Sequence, residues 1–257
     1  MNQRDSNLKI NSILVSQPEP TELEKSPYGE LARKYKLDID FKKFIKVEGI
    51  QASDFRKDKV YIQDHTAVIF TSRNAVDHFF RIAKDMRVEI PDTMKYFCIS
   101  EATAFYLQKY VQYRKRKIFN GRQRFEDLVE IIRKHNDEKY LLPCSDIHKM
   151  SLPNLLDRHK IKYSKAIIYR TVAADLTDVD IGKYDLLVFF SPAGVQSLFK
   201  NFPKFEQNST LIGAFGPTTA RAVKDAGLKL NIEAPTKTAL SMTMAIEEYL
   251  AGFNNKK

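Results

Sequence analysis

Two short stretches, far apart in the chain, repeat one pattern, and that repeat restricts the fold more than any other feature. "VIFTSRNAV" (Val68 to Val76) and "VFFSPAGV" (Val188 to Val195) each begin as an apolar, strand-forming run and end as a helix start. Ser72 and Ser191 stand where a helix cap belongs, Pro192 suits a first helical turn, and Gly194 removes a side chain from that turn. Behind them Val76, Phe79, Phe80 and Ala83 recur as Val195, Leu198, Phe199 and Phe202, at the spacing of one helix face. The following segment recurs too. "YFCISEATAFYL" (Tyr96 to Leu107) aligns with "IGAFGPTTARAV" (Ile212 to Val223), setting Ser100 against Gly216 and Thr103 against Thr219. Duplicated strand–turn–helix segments of this kind predict two lobes with related βαβα cores.

Strand and helix patterns alternate through the rest of the chain, which points to parallel sheets covered by helices. Strands are expected over Ile10 to Pro18, over Leu37 to Val47, and over the basic run "QYRKRKIF" (Gln112 to Phe119), read as a solvated strand edge. The first strand–helix–strand segment lacks partners where it stands. A compact arrangement lets residues 1–43 join 174–257 as one discontinuous lobe, with 51–164 inserted as the other. Residues 44–50 and 165–173 then form two extended connectors lying side by side.

Charge narrows the ligand class. The chain has 42 basic and 32 acidic residues, a formal net charge of +10, which attracts anions. No helix-turn-helix, zinc finger or aromatic-studded RNA-binding motif accompanies the basic residues, so nucleic acid is not the expected partner. No apolar run approaches the roughly 20 residues that span a bilayer, and "MNQRDSNLKI" lacks the apolar core of a secretory signal. Cys98 and Cys144 each sit in an apolar strand-like segment and read as buried free thiols of a reducing compartment. A cytoplasmic protein is expected.

The usual catalytic equipment is scarce. His65, His78, His135, His148 and His159 fall in no metal-ligand spacing, and no GxSxG, P-loop, GxGxxG or HExxH occurs. "SDIH" (Ser145 to His148) reads as a polar loop. Any enzyme built from this chain is expected to need no metal or cofactor and to act by positioning its substrate. The four strand-to-helix turns "FTSRNA", "CISEAT", "FSPAG" and "FGPTT" are the candidates for that task. Their first N–H groups and positive helix ends favour carboxylates and phosphates, although helix capping alone explains any one of them.

"FTSRNAV", "YRT", "FFSPAGV" and "GPTTARAVKDAGL" together resemble the uroporphyrinogen-III synthase family, over nearly the whole chain. The resemblance implies an α/β fold of two flavodoxin-like (Rossmann-like) parallel-sheet lobes on a two-stranded linker, one lobe being discontinuous. It implies a monomer that takes hydroxymethylbilane, handed over from hydroxymethylbilane synthase. This linear tetrapyrrole with eight carboxylates would be cyclised, without cofactor, with inversion of ring D through a spiro intermediate. Tyr169 matches the family tyrosine proposed to assist the leaving hydroxyl; packing between lobes is its other reading. Thr103 matches a family cleft threonine, with helix capping as the competing role. Thr71, Ser72, Arg73, Ser100, Ser191, Pro192, Gly194, Gly216, Pro217, Thr218 and Thr219 complete the expected substrate-binding set. The chain departs from the family at Gln17, where arginine is usual, at Ser100, where glycine is common, and at Pro143 and Cys144. Two other readings stand beside the enzyme: a binding protein for an anionic small molecule, and a divergent paralogue without activity.

Overall fold

Backbone pairing sorts the strands into two sheets. The computed structural model describes residues 10–147 and 150–254, so His148 of the "SDIH" stretch lies outside the described residues. Among these the strands are β1 (Ser12–Val15), β2 (Asp38–Phe41), β3 (Ile45–Gly49), β4 (Ala67–Phe70), β5 (Lys95–Cys98), β6 (Ile118–Asn120), β7 (Tyr140–Ser145), β8 (Tyr163–Ala173), β9 (Leu186–Phe189), β10 (Leu211–Phe215) and β11 (Ile232–Ala234). The α-helices are α1 (Pro27–Tyr35), α2 (Ala52–Phe55), α3 (Arg73–Asp85), α4 (Glu101–Leu107), α5 (Phe125–Arg133), α6 (Ser151–Arg158), α7 (Pro192–Asn201), α8 (Pro217–Asp225) and α9 (Met242–Asn254). The chain divides into two compact units. One runs up to Lys46 and resumes at Val172; the other is Val47–Thr171.

The discontinuous unit holds the sheet β11-β10-β9-β1-β2, parallel throughout. Counted along this unit the order is 2-1-3-4-5, the flavodoxin order, and it reverses between β1 and β9. Alternate residues serve opposite faces, as a period of two requires. Ile13, Val15, Leu186 and Val188 enter one apolar cluster with α1 and α9; Leu14, Leu187, Phe189 and Ile212 enter the other with α7 and α8. Burial on both faces explains why β9 reads as an unbroken apolar run.

The continuous unit holds the sheet β3-β8-β7-β4-β5-β6. Its β6-β5-β4-β7-β8 portion is parallel and has the 3-2-1-4-5 order of a Rossmann half-sheet, reversing between β4 and β7. Val68 and Phe70 pack with α3 and α4, while Ala67 and Ile69 pack with α5 and α6. On α3, Ala75, Val76, Phe79, Ile82 and Ala83 are buried, a stripe at helical spacing that seats the helix on the sheet.

Two expectations change. Leu37 to Val47 is not one strand: β2 pairs with β1, whereas β3 neighbours β8 in the other sheet, and the chain leaves extended pairing between them. The basic run is mostly a turn, in which the Arg114 carbonyl accepts from the N–H groups of Lys117 and Ile118; only Ile118 to Asn120 pairs, with Tyr96 to Cys98. The two stretches expected as extended connectors side by side coincide with β3 and β8, neighbours in one sheet, and β8 also pairs with β7 from Tyr163 onward. At their ends Ala174 N–H donates to Phe44 O at 2.9 Å and Ile50 N–H to Ile168 O at 3.0 Å, a pairing that advances in opposite directions.

Phe97 is wholly buried, stacked on Phe119 and edge-on to Tyr140. Phe97→Ala should destabilise the protein by about 3–5 kcal/mol, read from urea unfolding.

Candidate active site

In an open parallel sheet the strand order reverses at one point, and ligands bind beyond the carboxyl ends of the strands there. Both copies of the repeated serine turn occupy that position, one after β4 and one after β9.

In the continuous unit Ser72 caps α3, its Oγ accepting from Ala75 N–H at 3.1 Å. On the neighbouring strand Ser100 caps α4, accepting from Thr103 N–H at 3.3 Å. Ile99 N–H donates to Phe70 O at 2.9 Å, which fastens the two turns side by side. Thr71 is half-buried beside Ser72, and Arg73 is exposed with its guanidinium 5.4 Å from the centre of the Tyr106 ring. Thr103 is only 6% exposed, and its hydroxyl lies 3.1 Å from Ser100 Oγ. Those two hydroxyls therefore answer one another.

Tyr169 approaches the same turn from β8. Its hydroxyl is 3.5 Å from Ser72 Oγ, at the outer limit of a hydrogen bond, and its ring stacks on His78 at 5.1 Å with planes 20° apart. Tyr169 is 9% exposed. Burial raises its pKa above the ordinary phenol range, with Ser72 offsetting part of the effect, so the phenol keeps its proton at neutral pH. The pKa of His78 moves the opposite way. Burial and then the Arg81 charge lower it, against a smaller opposing pull from Asp77. His78 Nδ1 faces Arg81 Nε at 3.2 Å and accepts from it, which leaves the imidazole proton on Nε2.

The discontinuous unit holds the second set. Ser191 caps α7, accepting from Gly194 N–H at 3.1 Å, with Pro192 in the first turn. A methyl at Gly194 would meet only ordinary contacts, with Ser191 Oγ at 3.5 Å and Ser16 Oγ at 3.7 Å, so the end of β1 lies against this turn. Gly216, ahead of α8, has φ of 86°, a conformation that glycine adopts without strain. No side chain caps α8. Pro217 and Thr218 are exposed there, whereas Thr219 is 1% exposed.

The departures fall in quieter places. Gln17 is half-buried just past β1, and Pro143 and Cys144 are buried inside β7. Burial pushes the Cys98 thiol up to about 12 and the Cys144 thiol up to about 11, so neither is a ready nucleophile. Among the described residues no group of three or more His, Cys, Asp or Glu is placed to hold a metal ion. His78, on which Tyr169 stacks, and Arg81, which donates to His78 and to the Ile168 carbonyl, are neighbours of the site that sequence reasoning did not single out. Their only signal was a separation of one helical turn on α3, which any helix surface produces.

A family model described as uroporphyrinogen-III synthase HemD matches residues 30–244. The fold is similar to that of uroporphyrinogen-III synthetase from Helicobacter pylori 26695, with a TM-score of 0.54 at 18% identity over 94% of this chain and 99% of that one. A mutant uroporphyrinogen III synthase from the extremely thermophilic bacterium Thermus thermophilus aligns with a TM-score of 0.48 at 14% identity, covering 96% of this chain and 100% of that one. No curated protein sequence matches significantly.

Because His78 holds its proton less firmly when folded than its ordinary value of 6.5, the unfolded chain binds more protons as the pH drops below that value. Stability should therefore be full above pH 6.5 and decline on acidification just below it. His78→Gln should flatten that part of the profile, measured as melting temperature against pH.

Proposed function

The chain belongs to the uroporphyrinogen-III synthase family, and on that premise we propose that Tyr169 is its proton donor and the serine turns its carboxylate receptors. The substrate of the family is hydroxymethylbilane. The observation that carries the reading is the placement of a buried, protonated phenol beside the Ser72 cap, at the carboxyl end of the strand where the sheet order reverses.

The chemistry asks little of such a site. The hydroxymethyl oxygen takes the Tyr169 proton and leaves as water while the pyrrole nitrogen pushes electrons outward, giving an azafulvene. Attack on it by the substituted carbon of ring D gives the spiro intermediate. Fragmentation and reclosure at the other position of ring D complete the inversion, and the proton lost from the ring restores the phenol. Because unassisted cyclisation gives the uninverted isomer, the contribution required of the protein is orientation more than acid strength.

Orientation falls to the turns. Thr71, Ser72 and Arg73 beside Tyr169, together with Ser191, Pro192, Gly194, Gly216, Pro217, Thr218 and Thr219 in the other unit, receive substrate carboxylates through hydroxyls, a guanidinium and free N–H groups. Ser100 and Thr103, whose hydroxyls are engaged with one another, act by shaping the neighbouring turn. Among the described residues no helix is long and apolar enough to cross a membrane. We place the reaction in the cytoplasm, carried out by a monomer; the two free, buried thiols support a reducing compartment. Direct hand-over from hydroxymethylbilane synthase fits a substrate that cyclises wrongly when left free.

Protein incubated with freshly generated hydroxymethylbilane should yield the inverted type III isomer faster than the spontaneous reaction yields type I. Formation of type I alone, at the spontaneous rate, would leave only a binding protein or an inactive paralogue. Tyr169→Phe should slow turnover by about 10-fold or more while retaining substrate binding. Unchanged turnover would remove Tyr169 from the donor role.

A further inference from the structure

Tyr169 is not held by its own hydroxyl. At 3.5 Å the bond to Ser72 is too long to fix the ring, so something else must aim it. The backbone offers the first clue. Pairing between β7 and β8 advances one for one until Cys144 meets Ile167, after which Ser145 meets Tyr169. Ile168 is the extra residue of a β-bulge, and alternation fails there: Ile168 and Tyr169 are both buried in succession. A bulge of this kind re-aims the side chain that follows it, and leaves its own backbone groups in need of partners.

The bulge carbonyl, Ile168 O, already accepts from Ile50 N–H at 3.0 Å, and Arg81, from α3, adds a second donor to it. Its Nη2 donates to Ile168 O at 3.1 Å and to Ile50 O at 2.8 Å. Nε donates to His78 Nδ1 at 3.2 Å, and Nη1 pairs with Asp85 at 2.7 Å. One planar group thus joins the bulge, the end of β3 and the imidazole on which Tyr169 stacks. The guanidinium lies close against Gly49: a Cβ there would be 2.5 Å from it, so the Arg81 side chain would have to shift.

We propose that Arg81 is a positioning residue for Tyr169, clamping the β8 bulge behind it and the His78 ring against it. The inference rests on the assignment of Tyr169 as proton donor. A lysine could not replace the fork, because a single ammonium cannot present donors along several fixed directions in one plane. With the clamp gone, the imidazole is free to turn and the bulge carbonyl loses a partner, so the phenol drifts from the turn it serves. Displacements near 1 Å carry large losses in rate without a matching loss of binding.

The test is a double-mutant cycle with Tyr169→Phe. Arg81→Met should lower kcat by about 10-fold and change KM by less than about two-fold. In the Tyr169→Phe background the same substitution should change kcat by less than about two-fold, because there is no longer a phenol to aim. Arg81→Lys should fall between Arg81→Met and the wild type. Losses that multiply, or an unchanged kcat in Arg81→Met, overturn the inference while leaving the proposed activity standing. Should Arg81→Met fail to fold, Gly49→Ala, which displaces the guanidinium without removing it, carries the same cycle. A second readout needs no turnover. The ring-current shift that Tyr169 imposes on the His78 protons, taken as the difference from Tyr169→Leu, should collapse in Arg81→Met. Its persistence overturns the clamp even if the wild type forms no type III isomer, a result that would count separately against the proposed activity.

Discussion

Parallel pairing is the constraint from which the rest of this structure follows. Parallel neighbours cannot be joined by a tight turn, so the chain must leave each carboxyl end, cross the sheet as a helix and return. In both units this happens twice in succession, from β4 through α3 to β5 and α4 to β6, and from β9 through α7 to β10 and α8 to β11. The helix starts consequently open along one edge of each sheet, where their N–H groups and dipoles add. The Ile99–Phe70 bond then brings the Ser72 and Ser100 turns to the same level, as register demands. The duplicated serines follow from the duplicated topology: wherever the order reverses, the chain needs a cap at the mouth of a crevice.

Capping and ligand binding are not rival roles for these serines. A capping Oγ accepts from a backbone N–H, but its own proton remains available to donate. Ser72 accepts from Ala75 N–H and Ser191 from Gly194 N–H, so each can hold its helix and offer a donor outward. Ser100 differs, because its hydroxyl is paired with that of Thr103 at 3.1 Å, so the two share one outward proton. The start of α8 differs again: with no side-chain cap, it presents backbone N–H groups instead of a hydroxyl. Four turns that look alike in sequence therefore do not offer an anion the same donors.

Much of this was legible in the sequence, for identifiable reasons. Buried central strands announce themselves as apolar runs, and the i, i+3, i+7 stripe of α3 was visible from Val76, Phe79 and Ala83. Strand order was not, because periodicity says which face a residue serves and nothing about which strand lies beside it. For the same reason Leu37 to Val47 read as one strand although its two ends join different sheets. The basic run misled for another reason: three backbone pairs at Ile118 to Asn120 decide its strand, while the charges ahead of it merely sit in solvent. The bulge that aims Tyr169 had no sequence signal, since Ile167, Ile168 and Tyr169 all suit a regular strand.

The same burial acts on Tyr169 and His78 in opposite senses, and both outcomes suit a proton donor. Desolvation disfavours charge, so it raises the phenol and lowers the imidazole, leaving two neutral stacked rings. Were His78 protonated, its Nδ1 could no longer accept from Arg81, and a cation against the ring would ease the phenol toward ionisation. Arg81 thus enforces the neutral imidazole electrostatically while its hydrogen bond orients it. A phenol held this way is a weak acid, but the group it serves is an alkoxide-like oxygen leaving under the push of a pyrrole nitrogen, which is a far stronger base than phenolate. A proton is needed only as the C–O bond lengthens, and it must be in the right place. The site therefore invests in aim, through a bulge, a stacked ring and a five-donor fork, and leaves acidity near what burial alone gives.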